Sequence, residues 1–96
     1  MAKNERPVRV FAYDVVSNRL RAKVADLLEE VAVRVQLSVF EGRLTDRELD
    51  RLMARLEPLF EPGDKLRVYT LPNSLLTDCR RIGGAPLPEL QGFWLL

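Results

Sequence analysis

The sequence predicts an α+β sandwich of the ferredoxin-like kind, with two helices lying on one face of an antiparallel sheet. Three patterns carry that reading. Apolar residues alternate at period two over residues 8–16, again over 33–41, and again over 66–71. Between these runs the period changes to that of a helix, once after Asp14 and once after Thr45. A capping signature at Thr45 and Glu48 marks where the second helix begins.

The first strand organises the chain. Val8, Val10 and Ala12 fall on one of its faces, and Arg9, Phe11 and Tyr13 on the other. Neither row is plainly polar, so both faces should be covered. Asp14 ends this strand, and a carboxylate there is either a neighbour of the helix start or a ligand, because burying it alone is costly.

The first helix should open at Ser17 or Asn18, with Leu20, Val24, Leu27, Leu28 and Val31 at helical spacing. Its early turns carry Arg19, Arg21 and Lys23, and its late turns Asp26, Glu29 and Glu30. That order opposes the helix dipole at a cost of a few tenths of a kcal/mol per exposed charge, so another use would explain the cations beside Asp14. Residues 33–41 alternate without an Asn-Gly or Asp-Gly turn and read as one strand, with a kink or reversal near Gln36 to Ser38 left open.

Leu44 and Leu49 form a hydrophobic staple around the Thr45–Glu48 capping box. Leu49, Leu52, Met53 and Leu56 then make a buried stripe that ends near Pro58. Arg47, Arg51 and Arg55 recur every four residues on the same helix, as a solvated face or as a strip that follows phosphates. Pro62-Gly63 is a turn before the strand at 66–71, which Pro72 closes. The chain divides into a folded unit at residues 1–82 and an extended connector with a terminal strand at 83–96, whose apolar stretch at 90–96 lacks a partner in so small a chain. With the helices over the aliphatic row, the open sheet face would show Phe11, Tyr13, Phe40 and Tyr69 with Arg9, Arg34 and Arg67, an interface or a stacking platform.

Composition bounds the function. Ninety-six residues, 47% hydrophobic and 30% charged, describe one globular domain. A formal net charge of +1 excludes a strongly basic nucleic-acid coat protein, so such binding would need a local patch. A single cysteine, Cys79, forms no internal disulfide and suits a reducing cytoplasm. The apolar runs are too short for a membrane span and the first residues are polar, so no membrane association is expected. Histidine is absent, which removes the usual general base, the Ser–His and Cys–His pairs and any His-containing zinc site. Hydrolysis by this chain would then run most economically through a metal-bound water.

Tyr13-Asp14 at the end of the first strand, Arg19-Leu20-Arg21 at the start of the first helix, and Arg34-Val35-Gln36-Leu37-Ser38-Val39-Phe40-Glu41-Gly42 resemble the CRISPR-associated protein two family, the smaller of the two core CRISPR adaptation proteins. The resemblance covers nearly the whole chain. It implies a βαββαβ fold with residues 33–41 split into two antiparallel strands, and a homodimer packed through sheet faces with the C-terminal segment as an added strand. For function it implies a bridge between dimers of the integrase, CRISPR-associated protein one, during spacer acquisition. It also implies a magnesium-dependent endonuclease acting on RNA or duplex DNA.

Under that resemblance Asp14 is the catalytic and metal-binding carboxylate. A lone Asp is a poor Mg2+ site within one chain, but two Asp14 residues across a twofold axis could share the cation. Arg19, Arg21, Lys23, Arg34 and Arg47 would bind nucleic acid, duplex DNA first and single-stranded RNA second. Lys23 stands where many family members carry arginine, which keeps the charge and loses the bidentate fork. Tyr13 and Phe40 would support the site. The competing reading is a small RNA-binding module that uses the aromatic sheet face, although the RNP1 pattern of such modules is missing.

Overall fold

A computed structural model describes residues 5–88. Strands β1 (Val8–Asp14), β2 (Val33–Gln36), β3 (Val39–Arg43) and β4 (Lys65–Leu71) form one antiparallel sheet in the order β2-β3-β1-β4. Helices α1 (Asn18–Glu29) and α2 (Asp46–Leu56) intervene after β1 and after β3, giving the expected βαββαβ order. A 3-10 turn at Glu57–Leu59 follows α2, and a short helix α3 (Asn73–Leu76), which no sequence pattern announced, follows β4. Among the described residues no helix is long and apolar enough to cross a membrane.

Both helix starts are where the caps predicted. Ser17 Oγ accepts the Leu20 amide, and Thr45 and Glu48 satisfy each other's backbone amides in a complete capping box. The α2 stripe buries Leu52 and Leu56 against the core. Residues 33–41 are two strands, not one. They reverse at Leu37-Ser38, with an irregular register between Arg34 and Gln36.

The helices cover the opposite face of the sheet from the one expected. Phe11 is paired with Phe40 on one side and Val68 on the other, and these three residues lie in the core with Tyr13, Val24, Leu28 and Leu56. Phe11 and Phe40 are fully buried, so the aromatic row is the core row and cannot stack bases. That removes the basis of the RNA-module reading and takes Phe11 and Tyr13 out of the expected dimer interface. The physical reason is volume: the aromatic row fills the space under two helices better than the thinner Val8–Val10–Ala12 row does. Arg9, on the aromatic side, is accepted because its guanidinium is matched by Leu44 O, Thr70 Oγ1 and the Asp46 carboxylate.

The open face carries Val10, Ala12, Val39, Glu41, Arg67 and Tyr69, as the pairings of β1 with its neighbours require. Its Val8 end is closed. Val8 is fully buried, and Arg43 of β3 donates from Nη1 to Asn73 Oδ1 at 2.9 Å, so the chain beyond β4 turns back over that end. Ala85–Pro88 then runs beside β2 and β3, forming with Val33, Val35 and Glu41 a groove of ≈ 530 Å³. The terminal strand expected at residues 90–96 lies outside the described residues.

Candidate functional site

The end of β1 brings together residues that are far apart in sequence. A cleft of ≈ 480 Å³ is lined by Tyr13, Asp14, Arg21, Arg34, Leu37 and Ser38, among others. Asp14 is exposed, and among the described residues its carboxylate has no hydrogen-bond or ion-pair partner. A capping role for Asp14 is therefore unsupported, because Ser17 is the cap.

Tyr13 ties the β2–β3 turn to this cleft. Its amide donates to Ser38 O at 3.1 Å and its hydroxyl to Leu37 O at 3.3 Å. The Tyr13 ring stacks on Phe40 at 6.2 Å between centroids, and the Arg34 guanidinium lies 5.2 Å from the Phe40 centroid, within cation–π range. Burial pushes the Tyr13 phenol above its ordinary value, with the nearby Arg34 charge opposing, so it is a neutral donor near pH 7. Tyr13 and Phe40 thus support the site by packing.

The predicted cations fall in three places. Arg21 sits in the Asp14 cleft, but its Nη1 donates to Val15 O at 2.6 Å and Val16 O at 3.0 Å, which makes it a brace for the loop after Asp14. Arg34 shares the cleft. Arg19 and Lys23, each two residues from Arg21 and so on the other side of the helix, line a second cleft of ≈ 460 Å³ with Glu61 and Asp64. Arg47 is exposed in the first turn of α2, beside the Arg9–Asp46 pair and so roughly 16 Å from Asp14 along β1. Within one chain these residues do not make a continuous strip.

Sequence reasoning missed Asp64. Its Oδ1 accepts the Val16 amide at 3.1 Å and its Oδ2 the Glu61 amide at 3.0 Å, joining the β1–α1 loop to the turn before β4. The available signal was an Asp directly after Pro-Gly, a residue type that bonds nearby backbone in turns.

Among the described residues no three acidic, histidine or cysteine side chains gather into a metal site. The donor chemistry nevertheless fits magnesium in part. One exposed carboxylate per chain, beside cations that attract phosphate, is half of what a site of one or two carboxylates plus substrate phosphates needs.

Comparison with known proteins extends this picture. The family model for CRISPR associated protein Cas2 matches residues 8–78. The chain is 40% identical over 84 residues to the CRISPR-associated endoribonuclease Cas2 3 of Synechocystis sp., covering 86% of this chain and 91% of that one. It is 41% identical over 81 residues to the CRISPR-associated endonuclease Cas2 2 of Thermus thermophilus, covering 83% of this chain and 86% of that one. Among solved structures, a chain of a partial Cas6-RT-Cas1–Cas2 complex superposes with a TM-score of 0.72 at 27% identity, covering 88% of this chain and 94% of that one. With its strand order, its strand-end Asp14 and a family match over most of its length, this chain belongs to the Cas2 family of CRISPR-associated proteins.

Proposed function

We propose that this protein works in CRISPR adaptation as a cytoplasmic homodimer. In this reading it bridges dimers of the integrase, CRISPR-associated protein one, grips duplex DNA by its backbone, and carries a magnesium-dependent endonuclease at Asp14. The observation that carries the proposal is the unpartnered Asp14 carboxylate in a cleft walled by Arg21 and Arg34. Curated relatives named as endoribonuclease and endonuclease support the nuclease, and the Cas1–Cas2 complex supports the integrase as partner.

The open face of the sheet supports the dimer. Neither α1 nor α2 covers Val10, Ala12 and Tyr69, and Tyr69 is 51% exposed. A second copy against that face would bury them, and a twofold axis there would bring two Asp14 residues toward each other. The pair of carboxylates, one from each copy, would hold Mg2+. When bound, the cation neutralises phosphate charge and lowers the pKa of a water.

Arg34, with the free side of the Arg21 guanidinium, would draw the scissile phosphate toward Asp14. In the dimer Arg19, Lys23 and Arg47 would contact phosphates further along a duplex; such contacts set position without reading sequence. Single-stranded RNA is the alternative substrate for the same carboxylate pair. Residues 83–96 would serve as the connector and added strand that strengthen the dimer and offer a surface to the integrase.

The test is Asp14→Ala, taken through a pull-down with the candidate integrase, an integration assay, and cleavage of RNA and duplex DNA with and without magnesium. The expected result is retained integrase binding and loss of cleavage. A wild-type protein that fails to bind the integrase would overturn the bridge. Undiminished cleavage by Asp14→Ala would remove the nuclease from this site.

A further inference from the structure

The β1–β4 ladder ends at Asp14 opposite Lys65, and its next rung in the same register would pair Val15 with Asp64. That rung is replaced by a side chain. Asp64 turns its carboxylate onto the Val16 amide at 3.1 Å, while its other oxygen takes the Glu61 amide at 3.0 Å and its own amide donates to Glu61 O at 2.9 Å. Gly63, at φ +96°, provides the left-handed residue that lets the turn present Asp64 this way.

The loop from Asp14 into α1 is thus held from two sides. Arg21 takes the carbonyls of Val15 and Val16, and Asp64 takes the Val16 amide. These are the main-chain groups that neither the sheet nor α1 satisfies. Val15 is buried while Val16 is exposed, so without the clamp the backbone just past Asp14 would be anchored on one side only.

We propose that Asp64 is a positioning residue for Asp14: by replacing the missing rung it fixes the backbone next to Asp14 and so aims that carboxylate into the cleft. The functional part of this inference rests on Asp14 as the cation-binding carboxylate, whereas the clamp itself is a property of the fold. Asp64 does not touch substrate in this role, because both of its oxygens are occupied by main-chain amides.

The test compares the full-length wild type with Asp64→Ala and Asp64→Asn by amide hydrogen exchange, the Asp14 resonances and calorimetric titration with Mn2+. In Asp64→Ala the Val16 amide should exchange about tenfold faster or more, the value of one hydrogen bond to a charged acceptor. Phe11 and Val68, inside the ladder, should keep their protection. The Asp14 resonances should shift, and Mn2+ affinity should fall several-fold. Asp64→Asn keeps one acceptor oxygen but sets an NH2 against the other amide, so it should recover part of the Val16 protection and of the Mn2+ affinity together, falling between the wild type and Asp64→Ala in both readouts. Unchanged Val16 exchange in Asp64→Ala would overturn the clamp. Faster Val16 exchange with unshifted Asp14 resonances would overturn the positioning of Asp14. A wild type that binds no Mn2+ would defeat the cation role of Asp14 alone, and the exchange and resonance data would still decide the role of Asp64.

Discussion

The Arg9 guanidinium, rooted in the middle of the sheet and 4% exposed, meets the Asp46 carboxylate in the first turn of α2 at 2.7 Å. The same group donates to Leu44 O at 3.1 Å and Thr70 Oγ1 at 2.9 Å, so it joins β1, β4 and the start of α2. Asp46 is 77% exposed at its side chain, which makes the two halves of the pair unequal. Arg9→Ala should cost about 3 kcal/mol, since it removes three hydrogen bonds at once, one of them to the buried Leu44 carbonyl. Asp46→Ala should cost about 1 kcal/mol, because Arg9 keeps its other two acceptors. Urea unfolding of both variants measures the difference; equal costs would assign the energy to the ion pair alone.

Gly42 should tolerate no side chain. A Cβ there would stand 2.5 Å from Val31 O and 2.9 Å from the Ala32 Cα, both main-chain atoms of the α1–β2 connection. Gly42→Ala should destabilise by about 2 kcal/mol or more, because the backbone must move to admit it. The denaturation midpoint should fall with an unchanged slope.

Glu48 should contribute an acid-sensitive share of the stability. The Arg6 guanidinium bonded to it, and then the Thr45 amide, hold its carboxyl at about 2, below the ordinary 4.5. A depressed value means the native state favours the charged form, so this contribution is present above the ordinary value and is lost as pH falls toward 2. The Arg6–Glu48 pair lies at the surface, where solvent screening keeps the effect small. Glu48→Gln should flatten the stability curve between about pH 5 and pH 2; an unchanged acid limb would place the sensitivity elsewhere.

Arg19 and Arg21 should part company in solution. Arg19 is exposed, and among the described residues it has no hydrogen bond or ion pair, whereas Arg21 braces the loop after Asp14. Arg19→Ala should flatten the log–log salt dependence of duplex binding by roughly 0.9 with stability unchanged. Arg21→Ala should lower both duplex binding and the melting temperature. Identical behaviour of the two variants in both assays would erase the distinction.

Tyr69→Asp should break the dimer while sparing the subunit. Tyr69 projects from the open face opposite Val10 and is half exposed, so the isolated fold loses little. A charge buried at a sheet-to-sheet contact without a partner should weaken association by about a hundredfold or more. Sedimentation equilibrium reads the result, and an undisturbed dimer would mean that copies meet elsewhere.

What the sequence determined by itself was local. The Thr45–Glu48 capping box, the Ser17 cap, the α2 stripe through Leu52 and Leu56, and the place of Asp14 at a strand end each depend on neighbours within a few residues. Such features carry their own geometry, because spacing along a helix or strand dictates which side chains meet. Three things were decided only by the tertiary structure. Both rows of β1 are apolar, so period two could not say which one the helices cover; packing Phe11 between Phe40 and Val68 did. The reversal at Leu37-Ser38 lacks a turn signature and is held instead by Tyr13, from a strand more than twenty residues earlier in the chain. The clamp on the Asp14 loop comes from Asp64, forty-eight residues beyond Val16 in sequence, and no local pattern brings a carboxylate to an amide over that distance.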